Sequence, residues 1–272
     1  MNNETIEILF EDKDVLVINK PAGLVVHPDG HTAERTLCDW VLEHYPYMKG
    51  VGEPLEVSNE LRVMNYGGEK NEGKEGTDVS SHNSEFIIHN SIPRPGIVHR
   101  LDRGTSGVLV LAKNQDSFMF LKKQFQDRTI EKNYRAFVYG VFKDGSGVID
   151  RPIARSKNDF RKWTAERGKR GEERQAITEY SVLAQSGQFS LLDVFPKTGR
   201  THQIRVHLKA VSHPIVCDKL YASGKECALG FKRTALHAFS IKFMLPLGKE
   251  IKVEAPYPED FKVALRFFTN NS

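Results

Sequence analysis

Asp102 is the residue of this 272-residue chain whose surroundings are best suited to chemistry. It lies between Arg100 and Arg103, and the small-residue turn 104–107 follows it. Neighbouring guanidinium groups favour the ionised form of a carboxyl group, and an ionised carboxylate at the end of a strand can act as a nucleophile or as a base. An ordinary surface ion pair beside a turn explains the same residues, and these few residues alone favour that simpler interpretation.

The elements that must position Asp102 are predicted to be mainly strands. Apolar and branched runs predict strands at 6–10, 15–19, 108–112, 134–142, 176–184, 189–195, 235–244 and 250–254. Helical spacing predicts helices at about 33–45, after a cap at Asn114 or Asp116, from near Thr201, and at 261–268. Strands outnumber helices and hairpins outnumber βαβ units, so the pattern indicates an α+β fold around a mostly antiparallel sheet.

One segment differs in composition from the rest of the chain. Residues 47–93 are rich in Gly, Glu, Asn and Ser, which predicts a long loop or a disordered insert. We interpret 1–272 as a single domain with a variable polar insert at about 54–92, in which 61–64 and 86–88 are the ends of a short hairpin that flanks the most polar stretch. The insert should contain no catalytic residue, and its ends near 51–52 and 94–95 should lie close together.

Composition indicates a globular protein outside the membrane. Hydrophobic residues make up 39% of the chain and charged residues 27%, and no apolar run approaches the length of about 18 residues that a membrane span requires. The first residues lack the pattern of a signal peptide. The three cysteines are too few and too scattered for a disulfide framework or a zinc site, which predicts a reducing cytoplasm.

The charge distribution is compatible with nucleic acid. The formal net charge is +4, with Lys and Arg gathered at 122–123, 128–135 and 151–174, and such blocks can follow a phosphate backbone. Each block alone is more typical of a solvated face. The segment 151–174 is expected to be an exposed loop or a loose hairpin, in which Trp163 either stacks on a base or pins the loop to the core.

The sequence around Asp102 resembles a family pattern. HRLDRGTSG at 99–107 is similar to the catalytic loop of the RNA pseudouridine synthases of the RluA type, which reads HRLD, two variable residues, then TSG. Further similarity covers about 6–261 and includes NKPAG at 19–23, KNYRA at 132–136, TGRTHQIRVH at 198–207, HPIVCDKLY at 213–221 and RTALHA at 233–238. The resemblance implies the pseudouridine synthase fold, a mixed and mostly antiparallel central sheet with flanking helices and loops and a catalytic cleft across it.

The resemblance also implies a reaction and its residues. Asp102 would be the catalytic nucleophile that frees a flipped uracil, which rotates and rejoins the sugar through carbon 5. Arg100 would contact the RNA and help to displace the nucleotide, and Arg205 would pair with Asp102. Tyr134 would stack on the base, either as a platform only or also as the base in the carbon 5 proton transfer. A core tyrosine and a solvated helix arginine are the structural alternatives for the last two. The expected partner is ribosomal or transfer RNA, with no cofactor, no metal and no membrane, and the expected state is a cytoplasmic monomer.

Three departures concern the RNA target. The small basic RNA-binding module of many relatives is expected to be absent, Cys217 stands where glycine is common, and the insert is longer than usual. A metal cluster of His99, His202 and His207 is disfavoured because no further ligand repeats at suitable spacing. A binding protein without activity and a glycoside hydrolase are two rival interpretations. Intact Asp102, Tyr134 and Arg205 argue against the first, and the lack of a second carboxyl beside Asp102 argues against the second.

Overall fold

The computed structural model describes residues 6–27, 34–56 and 91–269, so the hairpin predicted at 61–64 and 86–88 lies outside the described residues. Within these ranges the helices are α1 (Leu37–His44), α2 (Gln115–Asp127), α3 (Gln203–Ala210) and α4 (Glu259–Thr269). The first seven strands are β1 (Glu7–Glu11), β2 (Val15–Lys20), β3 (Leu55–Glu56), β4 (Ser91–Ile92), β5 (Ser106–Ala112), β6 (Glu131–Tyr139) and β7 (Ser146–Asp150). The other seven are β8 (Ile153–Ser156), β9 (Trp163–Thr164), β10 (Lys169–Arg174), β11 (Ile177–Ser186), β12 (Phe189–Pro196), β13 (Leu236–Met244) and β14 (Glu250–Glu254).

A nine-stranded sheet forms the centre of the fold. Its strands follow the order β1-β2-β5-β13-β6-β12-β11-β7, and β14 pairs with β13. Among the described strands, the pairing of β5 with β13 is parallel and the other pairings are antiparallel. The prediction of an α+β fold around a mostly antiparallel sheet is therefore confirmed.

Strand β5 lies in the middle of this sheet because its sequence allows burial on both faces. All seven of its residues, SGVLVLA, are buried. Gly107 makes the close approach to β13 possible: its φ is 111°, and a Cβ atom there would lie 2.1 Å from the carbonyl oxygen of Ala238. The glycine of the TSG triplet is thus required where the strand that follows Asp102 meets the neighbouring strand.

Helix α2 begins and ends at residues that suit those positions. The Asn114 side chain accepts a hydrogen bond from the Ser117 amide at 2.9 Å, and Ser117 bonds back to Asn114 in a capping box. The helix ends at Arg128, which has left-handed backbone angles. Phe118 and Leu121 are buried between this helix and the sheet, as their helical spacing predicted.

The predictions for two segments differ from the structure for identifiable physical reasons. Strand β6 covers 131–139 and not 134–142, because Gly140 (φ 93°) turns the chain where its α-carbon approaches the His213 ring. The basic segment 151–174 is a three-stranded sheet in the order β10-β8-β9, and not a loose loop or hairpin. Buried Ile153 and Ala165 pack against Val206 of α3 and give this small sheet its own core.

The cysteine prediction is wrong for one pair. Cys217 and Cys227 form a disulfide with their α-carbons 4.4 Å apart, while Cys38 is free and buried. Spacing could not indicate this pair, because the turn structure between the two residues brings them together. The number of cysteines therefore no longer supports a reducing compartment.

The two ends of the polar insert meet, as the sequence predicted. The Gly96 amide donates a hydrogen bond to the Val51 carbonyl at 2.9 Å, and the short strands β3 and β4 pair with Glu56 opposite Ser91. Within the described ranges, no helix has the length and apolar character needed to cross a bilayer.

Candidate active site

The turn that carries Asp102 is fixed by backbone contacts on both sides. The Thr105 amide donates to the Asp102 carbonyl at 3.0 Å, and the Gly23 amide donates to the Arg103 carbonyl at 2.7 Å. Gly23 has a φ of 95°, a conformation that suits glycine. The KPAG turn of the N-terminal region therefore supports the Asp102 turn directly.

Lys20 links the KPAG turn to the Asp102 turn through its side chain. It is fully buried, and its ammonium group donates to the carbonyls of Pro21 and Leu24, each at 2.8 Å, and to that of Arg103 at 3.4 Å. Burial, and then the charge of Arg233, lowers the pKa of Lys20 to about 7, against the opposing effect of Asp102. Removing this side chain would deprive the Pro21 and Leu24 carbonyls of their donor, while the Arg103 carbonyl would keep the Gly23 amide.

Arg233 holds the other side of the turn. Its guanidinium donates to the Gly104 carbonyl at 2.9 Å and to the Ser106 hydroxyl at 3.1 Å, and it pairs with Asp260 of α4 at 2.7 Å. The Ser106 hydroxyl also bonds His237 Nδ1 at 2.9 Å. The RTALHA segment and the C-terminal helix thus fix the turn that presents Asp102.

Arg205 binds two aspartates at once. Its Nη1 donates to Asp102 Oδ2 at 3.0 Å, while its Nε and Nη2 donate to the two oxygens of Asp218 at 2.7 and 2.9 Å. Burial opposes the charge on Arg205, but the bonds and charge of Asp218 and then those of Asp102 outweigh it and raise its pKa above the ordinary value. The predicted pairing of Arg205 with Asp102 is present, with Asp218 as an additional partner.

Tyr134 and Arg100 line the same cleft as Asp102 and Arg205. Tyr134 lies on β6 and is partly buried. Its burial, and then the charge of Asp102, raises its pKa well above the ordinary value. Arg100 is exposed, and its Nη1 lies 3.1 Å from His27 Nε2. The structure therefore brings all four predicted site residues to one cleft.

Two of the three histidines considered as metal ligands, His99 and His207, make separate hydrogen bonds within the fold. His99 Nε2 accepts a hydrogen bond from the Val110 amide at 3.0 Å, and its ring stacks on Phe125. His207 is buried between the Thr178 hydroxyl and the Arg151 carbonyl, each at 2.9 Å. Within the described ranges no group of three or more His, Cys, Asp or Glu side chains could hold a metal ion.

The cleft is a cavity of about 430 Å³ with an unusual charge pattern. Its described lining contains one carboxylate, that of Asp102, and six cationic side chains: Arg100, Arg128, Lys132, Lys197, Arg200 and Arg205. Apolar groups such as Leu101, Ile204 and Leu236 form part of the wall. Such a site suits a polyanion that inserts one flat, uncharged group.

Comparison with known proteins identifies the family. The family model for RNA pseudouridylate synthase matches residues 14–210. The chain belongs to this family. The RNA pseudouridine synthase YlyB of Bacillus subtilis, described as uncharacterized, is 34% identical over 94% of this chain and 70% of the relative. Ribosomal large subunit pseudouridine synthase D of Zymomonas mobilis is 33% identical over 96% of this chain and 72% of the relative.

Solved structures agree on the fold of this synthase. The human protein RNA Pseudouridylate Synthase Domain Containing 4 superposes with a TM-score of 0.66 at 25% identity, over 97% of this chain and 93% of the human chain. The chain is therefore an RNA pseudouridine synthase of the RluA type, which is an isomerase that converts uridine in RNA to pseudouridine.

Four residues of the synthase site were quoted within family patterns but were given no site role by sequence reasoning: Lys20, His202, Asp218 and Arg233. Asp218 lies in HPIVCDKLY, Arg233 in RTALHA and Lys20 in NKPAG. Their membership in these patterns was the available signal. Their roles depend on burial and on contacts between distant segments, which the sequence does not display.

Proposed function

We propose that Asp102 is the nucleophile of this synthase and that it acts on a uridine turned out of the RNA into the cleft. The observation that supports this most directly is the shared arginine. Arg205 holds one oxygen of Asp102 at 3.0 Å, and the Asp102 side chain is 24% exposed toward the cleft. A charged, aimed and accessible carboxylate is what attack on a sugar carbon requires.

The cleft suits the steps of the isomerisation. Breaking the glycosidic bond generates positive charge on the sugar, and the Asp102 carboxylate can stabilise that charge or bond to the carbon. The freed uracil must stay in place while it rotates, and the apolar wall of the cleft can hold it. Rejoining at carbon 5 then requires that carbon to lose a proton.

Tyr134 is proposed as a stacking platform and not as the base that removes this proton. The ring lies in the cleft wall, where a flipped uracil can pack against it. Its raised pKa keeps the hydroxyl protonated at neutral pH, so it is a poor proton acceptor. Arg100 is proposed to contact the RNA beside the flipped nucleotide, because it is exposed at the cleft next to Asp102.

The small basic sheet provides the proposed RNA path away from the cleft. The chain has 39 Lys and Arg against 35 Asp and Glu, and residues 151–174 contribute nine against four. The rest of the chain therefore has 30 against 31, so the net positive charge of the protein comes from this one segment. Phosphate contacts made there would position the RNA without reading its sequence.

Ribosomal RNA is the proposed substrate, and transfer RNA is the alternative. Two relatives, from Zymomonas mobilis and Borreliella burgdorferi, have the name Ribosomal large subunit pseudouridine synthase D. We further propose that the protein acts in the cytoplasm, where these RNAs are found, and that it acts as a monomer. Light scattering with the purified protein checks the oligomeric state.

The proposed function is tested by mapping pseudouridine across cellular RNA with and without the protein, followed by turnover of the mapped uridine in a purified fragment. The expected result is one or a few sites in large-subunit ribosomal RNA that disappear without the protein. Tight RNA binding with no change at any uridine would show instead that the chain is a binding protein without activity.

A further inference from the structure

His202 is a second neighbour of the Asp102 carboxylate. Its Nε2 lies 3.9 Å from Asp102 Oδ2, the same oxygen that Arg205 holds. His202 stands immediately before helix α3 with left-handed backbone angles, φ 55° and ψ 18°. Among residues other than glycine, histidine is one of the few that are enriched in this conformation. In this backbone conformation the imidazole faces Asp102, as the 3.9 Å separation shows.

The hydroxyl of Tyr221 determines which nitrogen of His202 holds the proton. Tyr221 is buried, and its hydroxyl accepts a hydrogen bond from the Trp163 amide at 3.0 Å. The same hydroxyl lies 2.9 Å from His202 Nδ1. Because the Trp163 amide can only donate, the hydroxyl proton remains available for His202 Nδ1, which then acts as the acceptor.

The electrostatic surroundings agree with this assignment from the hydrogen-bond network. Burial raises the pKa of Tyr221 to about 12, so the hydroxyl keeps its proton. Burial also lowers the pKa of His202, against the opposing charge of Asp102, so the imidazole is neutral at neutral pH. A neutral imidazole that accepts at Nδ1 must have its proton on Nε2.

We propose that His202 is a positioning residue of this reaction, whose Nε2–H is fixed by Tyr221 and directed at Asp102 Oδ2. The inference rests on the proposed role of Asp102 as nucleophile. With Arg205 and His202 both directed at Oδ2, the carboxylate is oriented so that Oδ1 is left for the sugar. The other tautomer would place a lone pair against the carboxylate and repel it. A movement of less than about 1 Å brings the 3.9 Å separation to hydrogen-bond length.

Two substitutions at the same position separate positioning from a purely structural role. His202→Gln can place an amide N–H where Nε2 was, while His202→Asn is too short to reach Asp102. Asparagine, however, tolerates the left-handed backbone better than glutamine. A purely structural role therefore predicts a higher kcat for His202→Asn, whereas the proposal predicts a higher kcat for His202→Gln.

The expected result is a kcat for His202→Gln at least about tenfold above that for His202→Asn, with similar KM and with thermal stability in the opposite order. Exposed His44 at the end of α1 provides the matched control, where Gln and Asn should leave kcat equal. Equal kcat for the two variants at position 202, or a higher kcat for Asn, overturns the proposal.

A spectroscopic measurement tests the tautomer without any substrate. In NMR of isotope-labelled histidine, His202 of the parent should show a proton on Nε2 and none on Nδ1, and Tyr221→Phe should weaken that preference. A proton on Nδ1 at neutral pH contradicts the inference even in an active enzyme. If the parent forms no pseudouridine while the Nε2–H tautomer is present, the proposed function fails and the tautomer assignment stands.

Discussion

Two aspartates bind the same arginine, and their surroundings differ sharply. The Asp218 side chain is fully buried, and its oxygens accept four hydrogen bonds, two from Arg205 and one each from the amides of Leu220 and Tyr221. The Asp102 side chain is 24% exposed, and Arg205 donates to one of its oxygens. No hydrogen bond from the described residues reaches Asp102 Oδ1.

This difference separates a structural anchor, Asp218, from Asp102, the group proposed to react. Asp218 has no oxygen left for a substrate, because each already accepts protein donors. One oxygen of Asp102 accepts no protein hydrogen bond among the described residues. Arg205 can orient the carboxylate because Asp218 binds the Nε and Nη2 atoms of the guanidinium, while Nη1 binds Asp102. Because Asp218 already fixes Arg205, the guanidinium does not have to move when charge changes on Asp102 during the reaction.

The largest effect is expected at Asp102. Asp102→Asn keeps the shape of the side chain but removes its charge and its nucleophilic oxygen, so turnover should fall by at least about 10³-fold. Affinity for RNA should change little, since the six cationic side chains of the cleft remain. Single-turnover formation of pseudouridine and a filter-binding assay measure the two quantities. Substantial turnover by the Asn variant would remove Asp102 from the role of nucleophile.

Asp218→Asn is expected to reduce stability far more than Asp102→Asn does. Removing the charged partner of a buried ion pair costs about 3–5 kcal/mol in unfolding free energy, and the partly exposed Asp102 compensates the Arg205 charge only in part. The same change at Asp102, which is partly exposed, should cost far less. Denaturant unfolding of both variants measures this comparison. Equal losses of stability would show that the two aspartates share the structural role, contrary to the burial difference.

The sequence indicated a role for Asp102 but none for Asp218. Asp102 was recognised because the motif and its arginines are contiguous, and Arg205 because it lies in a second contiguous motif. Asp218 lies in the HPIVCDKLY pattern, but the pattern does not display its role, since its burial and its contact with two nitrogens of Arg205 depend on a turn that the Cys217–Cys227 disulfide also spans. His202 was considered as a metal ligand, because only the fold shows that its two nitrogens face Tyr221 and Asp102.

The strands were predicted more reliably than the segments between them. Runs such as VLVLA at 108–112 are buried on both faces and read clearly as strands. The basic segment 151–174 was misread because its short strands alternate charged residues with few apolar ones. Its core is provided partly by Val206 and Tyr221, which are distant in sequence. A local pattern cannot display a core that another segment supplies.

His99, like Asp218, is held by hydrogen bonding within the protein, and its contribution to stability is expected to depend on pH. The neutral imidazole accepts the Val110 amide, and burial, then Lys132, lowers its pKa from 6.5 to about 3. Its stabilising contribution is therefore complete above pH 6.5 and is lost as the pH falls from 6.5 toward about 3, because the unfolded chain takes up a proton that the folded chain refuses.

His99→Gln tests this effect, since the amide oxygen can still accept the Val110 amide but does not titrate. The free energy of unfolding of the parent minus that of the variant should fall by at most about 1.4 kcal/mol for each pH unit below the ordinary histidine pKa. Carboxylates titrate in both proteins and cancel in the difference. Urea unfolding at neutral pH and at about pH 5 measures it. A difference that does not change with pH would mean that His99 is protonated in the folded protein.

The smallest effect is expected from shortening the polar insert. Glu56 and Ser91 are opposite one another in the β3–β4 pair, and the Val51 carbonyl accepts the Gly96 amide at 2.9 Å. The chain could therefore be closed at this point by a two-residue Asn-Gly turn in place of 57–90, since such turns join paired strands without straining them. All the residues proposed for the site lie outside the deleted range.

The shortened protein should be as stable as the parent or slightly more so, because loop closure costs only about 0.6 kcal/mol per doubling of loop length. Its turnover on a short RNA should be unchanged, since the Asp102–Arg205–Asp218 contacts are made without the insert. Affinity for the full RNA should fall only if the insert touches it. Thermal unfolding and turnover on both substrates separate these effects. A shortened chain that does not fold would show that residues 57–90 contribute to the core, and the single-domain interpretation with a dispensable insert would be wrong.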